Sequence, residues 1–192
     1  MGLRTNPGVC MDCIAEQPPL DGAFAAVDYA YPWSGLVGRY KFGDQPSWAP
    51  IFADLLLQSA NARDALVGLA AADWIVPMPL SLQRLQTRGF NQAWQLATAL
   101  ARQSGTAART DAHLLLRVKN TRPQSQLKRV DRLTNVKGAF AVDPLRSPEL
   151  SGQQVVLVDD VMTSGASLFT AATALKQAGA RAVIAMVFAR TD

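Results

Sequence analysis

Apolar residues recur along the chain in two rhythms. Trp48, Ile51, Phe52, Leu55 and Leu56 fall at i, i+3, i+4, i+7 and i+8. That is one face of a helix, with Ser47 after Pro46 as its cap. From Trp74 the rhythm shortens. Trp74-Ile75-Val76 is a short apolar run closed by Pro77-Met78-Pro79, the pattern of a buried strand opening into a loop. A helix is predicted from about Asn91, carrying Trp94, Leu96, Ala97, Leu100 and Ala101. Residues 113–118 read as a second strand and residues 139–142 as a weak one. Upstream, residues 26–31 read as a short strand stopped by Pro32. Residues 119–137 are polar, basic and poor in apolar anchors, which predicts a loop with room for a short helix.

The last third of the chain is plainest. Val155-Val156-Leu157-Val158 is a continuous, β-branched-rich run, typical of a strand covered on both faces. A helical stretch follows with Leu168, Phe169, Ala172, Leu175 and Lys176, ended by Gly179. Residues 182–188 form another buried strand. Strand, helix and strand of these lengths make a βαβ unit. The expected fold is therefore α/β, a mostly parallel twisted sheet flanked by helices. Residues 46–192 form its core, and residues 1–45 a small N-terminal appendage.

Composition narrows the classes. The chain is 49% apolar and 18% charged, enough to bury a core and too apolar for wholesale disorder. Its 2 cysteines exclude a disulfide scaffold. No apolar run reaches the ~18 residues of a membrane span. The N-terminus lacks the apolar stretch of a signal peptide, and Asn6 breaks an acylation signal. The expectation is a soluble, cytoplasmic protein with no membrane partner.

Charge adds a further constraint. Residues 81–140 hold 11 basic and 2 acidic side chains, a local excess of nine, within a chain whose net charge is only +4. Such segregation points to an anionic partner, either a nucleic acid or a small phosphorylated molecule.

The strongest chemical signal is the stretch 155–167. An apolar strand is followed by Asp159 and Asp160, then by Thr163-Ser164-Gly165-Ala166-Ser167 entering a helix. Ligands of open α/β sheets bind beyond the carboxyl ends of strands, where this acid pair would lie. Backbone N–H groups at the helix start, with hydroxyls from Thr163, Ser164 and Ser167, make a phosphate cradle. Gly165 would let a ligand approach the backbone. The acids would repel a phosphate. They suit the vicinal hydroxyls of a sugar, as strong charge-assisted acceptors. Acids for a diol beside a nest for its 5′-phosphate describe a ribose-5-phosphate site. The blander alternative, acids that merely cap a helix, does not account for strand, acid pair and turn occurring in this order. There is no G-x-x-x-x-G-K-[ST] or G-x-G-x-x-G, so motor-NTPase and dinucleotide readings lack support.

Residues 155–167 resemble the 5-phosphoribosyl 1-pyrophosphate (PRPP) signature of type I phosphoribosyltransferases. Val76-Pro-Met-Pro-Leu80, Arg84 and Arg88-Gly-Phe-Asn-Gln92 resemble the segment after the first core strand in the ComF competence-type family. Thr121-Arg-Pro-Gln124, Leu127, Arg132, Asn135 and Ala139-Phe140 resemble its mobile-loop region, and Tyr40-Lys-Phe42 after a CxxC its N-terminal part.

The resemblance implies roles. Asp159 and Asp160 would hold the ribose hydroxyls, and Thr163 to Ser167 the 5′-phosphate. Pro77, Met78, Pro79 and Leu80, with Arg88, would approach the pyrophosphate. Residues 117–137, including Arg117, Lys119, Arg122, Gln124, Lys128 and Arg132, would form a flexible loop closing over the substrate. For most of these cations a solvated basic face is an equal account. Mg²⁺ would accompany PRPP, held by ligand oxygens and water. Asp159 or Asp160, with Asp160 preferred, would stabilise positive charge at the sugar or take a proton.

Relatives often carry two CxxC pairs that bind zinc. Here only Cys10 and Cys13 occur, and two thiolates do not close a structural zinc site. A lost pair, a shortened sequence and metal shared between subunits all remain open. We read the CxxC as a remnant zinc ligand pair of structural origin. His113 reads as structural, and the 4 tryptophans as packing rather than a base-stacking platform.

Two function classes follow. One is a Mg²⁺-dependent phosphoribosyltransferase with an unidentified acceptor. The other is a PRPP-sensing protein, or one that binds single-stranded DNA or competence machinery, on the same fold. A dimer is compatible with either.

Overall fold

The computed structural model describes residues 18–42, 45–119 and 136–191. Its centre is a five-stranded sheet, parallel throughout. The order is β1 (Gly22–Asp28), β7 (Ala182–Arg190), β6 (Gln154–Met162), β2 (Trp74–Pro77) and β3 (Arg109–Thr110). Helices α1 (Trp33–Phe42), α2 (Ala49–Leu57), α3 (Ala60–Val67), α4 (Leu82–Arg88), α5 (Gln92–Ser104) and α6 (Ala166–Gln177) surround it. A separate antiparallel pair joins β4 (Leu115–Arg117) to β5 (Phe140–Val142).

The β-branched run of β6 is apolar throughout because both its faces are covered. Val155 and Leu157 belong to a core layer shared with α6, β4 and β5. Val156 and Val158 belong to the opposite layer, shared with α1, α2 and α5. The helix after β2 thus lies on one face and the helix after β6 on the other. A crevice between the carboxyl ends of these neighbouring strands is where open α/β sheets bind ligands.

Aromatic packing anchors the α1/α2 side. Phe52 stacks on Phe188 with ring centroids 3.7 Å apart, and Tyr40 meets Phe52 edge-on at 5.2 Å. Trp33 and Trp48 pack at the margin of this cluster. Trp74 lies under the guanidinium groups of Arg109 and Arg146.

The opposite end of the sheet is tied by two acids. Buried Asp73 accepts hydrogen bonds from the backbone N–H groups of Ala70 and Gln154, at 2.8 and 2.7 Å. Asp21 accepts from the Val183 N–H at 2.7 Å and pairs with Lys176. These carboxylates hold strand starts together.

The structure changes several expectations. β1 starts at Gly22 rather than residue 26 and pairs with β7. Together with α1, whose Val37 and Tyr40 are fully buried, it makes residues 22–42 part of the core, so the boundary near residue 45 separates no unit here. In α2 the buried face runs through Ala49, Phe52, Ala53, Leu56 and Leu57, while Ile51 is exposed. Ser47 lies in a 3-10 turn before α2 and does not cap it. The strand at residues 113–118 shortens to β4 and leaves the main sheet, and the two-residue β3 takes the edge beside β2. His113 lies exposed in the turn before β4, its N–H bonded to Asp111 Oδ1.

Candidate functional site

β2 ends at Pro77, which pairs with Val158, whereas β6 continues against β7 through Asp159, Val161 and Met162. The acid pair therefore lies just past the end of β2, within a strand rather than after one. Strand alternation sends the two side chains apart. Asp159 keeps partial solvent contact and lines a concave site of about 60 Å³ with Met162, Thr163, Gly165, Ala166 and Ser167. Asp160 is 3% exposed, on the face covered by α1 and α5.

The turn after β6 has the geometry the sequence implies. Gly165 precedes α6 with φ +73°. A Cβ there would come within 2.6 Å of Phe169 Cζ and 2.9 Å of Met162 Cε. The Ser164 Oγ is buried and has no hydrogen-bond partner among the described residues. An orphaned hydroxyl beside a helix N-terminus is a donor available to an anion.

The Arg-Gly-Phe-Asn-Gln stretch is accounted for residue by residue. Arg88 ends α4, and its Nη1 donates to Gln92 Oε1 at 2.9 Å. Gly89, at φ +75°, turns the chain between two helices. Phe90 packs toward Tyr40. Asn91 caps α5 by accepting from the Ala93 N–H, and its Nδ2 donates to the Met78 carbonyl. The Met78 N–H in turn donates to the Val158 carbonyl at 2.8 Å. The loop Pro77–Leu80 is thereby clamped beside the acids. Pro77 and Met78 are buried, whereas Pro79 and Leu80 are half-exposed.

Cations converge on the acids. The Lys41 Nζ lies 3.2 Å from Asp160 Oδ2, close enough for an ion pair although no donor is aligned on that oxygen as a hydrogen bond. Tyr40 O–H donates to the Gln92 carbonyl at 2.5 Å, holding this end of α1 against α5. Burial and then the charge of Asp160 push the Tyr40 phenol up, so it stays protonated. Arg88 stacks over the ring of Phe42 at 4.8 Å. Its burial, and the neighbouring charge of Arg84, work against the guanidinium, while Asp160 and Asp159 favour it. Arg117 lies over Phe140 at 5.3 Å and feels Arg84 and Asp159 in the same way. Burial, reinforced by the Asp160 charge, pushes the Asp159 carboxyl up to about 7, against the opposing pull of Lys41.

The site thus unites Asp159, Asp160, the turn 163–167, the Pro77–Leu80 loop, Arg88 and Arg117. Lys119 is exposed and its Nζ donates to the Lys137 carbonyl, outside this cluster. Cys10, Cys13, Arg122, Gln124, Lys128 and Arg132 lie outside the described residues. Lys41 is a site residue whose role the sequence did not convey. Its Tyr-Lys-Phe stretch was visible as a motif, but a pairing across half the chain leaves no local pattern.

A phosphoribosyl transferase domain model matches residues 87–192, which take in Arg88, the acid pair and the turn. The chain is 34% identical over 182 residues to the DNA utilization protein YhgH of Salmonella typhi, covering 95% of this chain and 78% of that protein. It is 31% identical over 170 residues to competence protein F of Haemophilus influenzae, covering 88% and 73%. It is 36% identical over 110 residues to competence protein ComFC of Bacillus subtilis, covering 57% and 41%. With its parallel sheet, acid pair and turn in the order that domain requires, the chain belongs to the ComF family and carries a phosphoribosyl transferase domain.

Proposed function

We propose that the protein is a phosphoribosyltransferase that uses PRPP with Mg²⁺ and transfers phosphoribose to a nitrogen acceptor, releasing pyrophosphate. The observation that carries this reading is that Asp159 lines one concave site with the anion-type turn after β6, while the adjacent Asp160 is buried against Lys41.

The turn 163–167 receives the 5′-phosphate through backbone N–H groups and hydroxyls. Asp159 and Asp160 accept hydrogen bonds from the ribose hydroxyls. Arg88, assisted by Arg84 and Arg117, faces the pyrophosphate. Among the described residues no group of three or more His, Cys, Asp or Glu could cage a metal. Mg²⁺ would arrive on the substrate's own oxygens and would neutralise charge on the leaving pyrophosphate.

The C1–O bond breaks with its electron pair going to pyrophosphate. The acceptor nitrogen forms the new C1–N bond with its lone pair and releases a proton. Positive charge builds on the sugar between these events, as in glycoside transfer. The ion-paired Asp160 is the charged group that opposes it. Asp159 is partly open to the crevice and its carboxyl is pushed up to about 7, so its ionised form is the stronger base and is better suited to accept the acceptor's proton. This divides two tasks that the sequence would assign mainly to Asp160.

The reading is tested by pyrophosphate release from PRPP and Mg²⁺ across a panel of nucleobases, amines and ammonia. Turnover with one class and its loss in Asp160→Asn support it; binding without turnover across the panel contradicts it and favours a PRPP sensor. The names of the relatives, DNA utilization and competence, together with the basic segment 81–140, favour DNA or the competence machinery as the context or partner of either activity.

A further inference from the structure

Asp160 is a carboxylate at the centre of the site, nearly inaccessible to water, with a second carboxylate adjacent in sequence. The groups facing it are Tyr40 and Lys41 from α1, Arg88 from α4 and Asp159 from β6 itself. Tyr40 directs its O–H to the Gln92 carbonyl, and Arg88 is bonded to the Gln92 side chain. That leaves Lys41, whose side chain is 21% exposed, as the cation placed directly against the Asp160 carboxylate. The buried Tyr40 before it fixes the backbone from which it reaches.

We propose that Lys41 is a positioning residue of the phosphoribosyl site, holding the Asp160 carboxylate aligned for the sugar hydroxyls from an element outside the matched domain. This rests on the functional reading above. Lys41 thereby makes α1 part of the ligand site and couples the N-terminal third of the chain to sugar binding. Without it, the buried Asp160 carboxylate would lose the cation placed directly against it, and with that cation its fixed orientation.

The experiment is a double-mutant cycle with Lys41→Met, Lys41→Arg, Asp160→Asn and the Lys41→Met/Asp160→Asn pair in the full chain. Each is titrated with PRPP and Mg²⁺ at pH 7.5, and unfolded in urea without ligand. Lys41→Met should weaken PRPP binding at least tenfold. Lys41→Arg should stay within about threefold of the parent. In the Asp160→Asn background, Lys41→Met should add less than about threefold. Without ligand, Lys41→Met should lower the urea midpoint only when Asp160 is present.

A folded Lys41→Met that binds PRPP like the parent overturns the proposal, as does an equal loss with and without Asp160. A parent that binds no PRPP overturns the functional reading. The ligand-free urea cycle then still decides whether Lys41 and Asp160 are coupled, and an absent coupling there sinks the proposal by itself.

Discussion

Asp159 and Asp160 are consecutive in β6, yet one opens to the crevice and the other is buried against the Lys41 ammonium at 3.2 Å. The same peptide thus supplies two carboxylates with different electrostatics. Asp159 carries the effects of burial and of its neighbour's charge, and stays protonated up to about pH 7.

This fixes a pH dependence. Relative to the ordinary value of 3.8, the raised Asp159 carboxyl holds its proton in the folded chain when the unfolded chain has lost it. Its contribution to stability is full below about pH 4 and is lost as pH rises to about 7. Asp159→Asn should therefore unfold a few degrees above the parent at pH 8, with the difference narrowing at pH 5. Thermal unfolding at the two values measures it, and an unchanging difference contradicts the assignment. Asp21 and Asp111, whose carboxyls are held low by hydrogen bonds and cations, act in the opposite sense and destabilise only in strong acid.

Gly165→Ala should damage both stability and phosphate capture. The φ of +73° costs a residue with a side chain about 1–2 kcal/mol. The Phe169 ring tip must also move, which disturbs the mouth of the turn. Urea denaturation should register the loss, and calorimetry should show weakened PRPP binding. A variant of parental stability would mean that the turn tolerates another conformation.

Arg88→Met should lower affinity for inorganic pyrophosphate by about tenfold, corresponding to one charge-assisted contact of about 1.4 kcal/mol. Stability should change little, because Arg88 is half-buried beside Arg84 and is itself disfavoured there. Unaltered pyrophosphate affinity would remove Arg88 from the site.

Phe52→Ala should cost about 3–5 kcal/mol, since it empties the centre of the stack with Phe188 and the contact with Tyr40. Chemical denaturation checks it. A small loss would mean that the α1/α2 layer is not the continuous core described.

The basic segment 81–140 can be tested separately from the sugar site. If single-stranded DNA binds directly through these cations, its affinity should fall steeply with salt. A salt-insensitive signal would place DNA elsewhere.

Much of this was legible from residue order. The β6–α6–β7 unit has a buried apolar run, acids, a glycine turn and an amphipathic helix, all local patterns. Asn91 was placed at the start of its helix, which it caps. The misses are of one physical kind. β3 is two residues long and has no periodicity to detect. β1 contains Gly22 and three alanines, so its pairing with β7 is fixed by tertiary contact rather than side-chain pattern. Ile51 fell on a helical apolar face but outside the contact surface. Lys41 belongs to the same class, since nothing near it in sequence announces Asp160. The basic segment is likewise reinterpreted by position: Arg84, Arg88 and Arg117 converge on the acids, whereas Lys119 does not.

The most direct test of the account is a calorimetric titration of the full chain with PRPP and Mg²⁺, beside Asp160→Asn and Gly165→Ala. The account predicts saturable binding by the parent and at least tenfold weaker binding by each variant while both remain folded. No binding heat from the parent, or equal binding by all three proteins, would contradict the assignment of this crevice as the phosphoribosyl site.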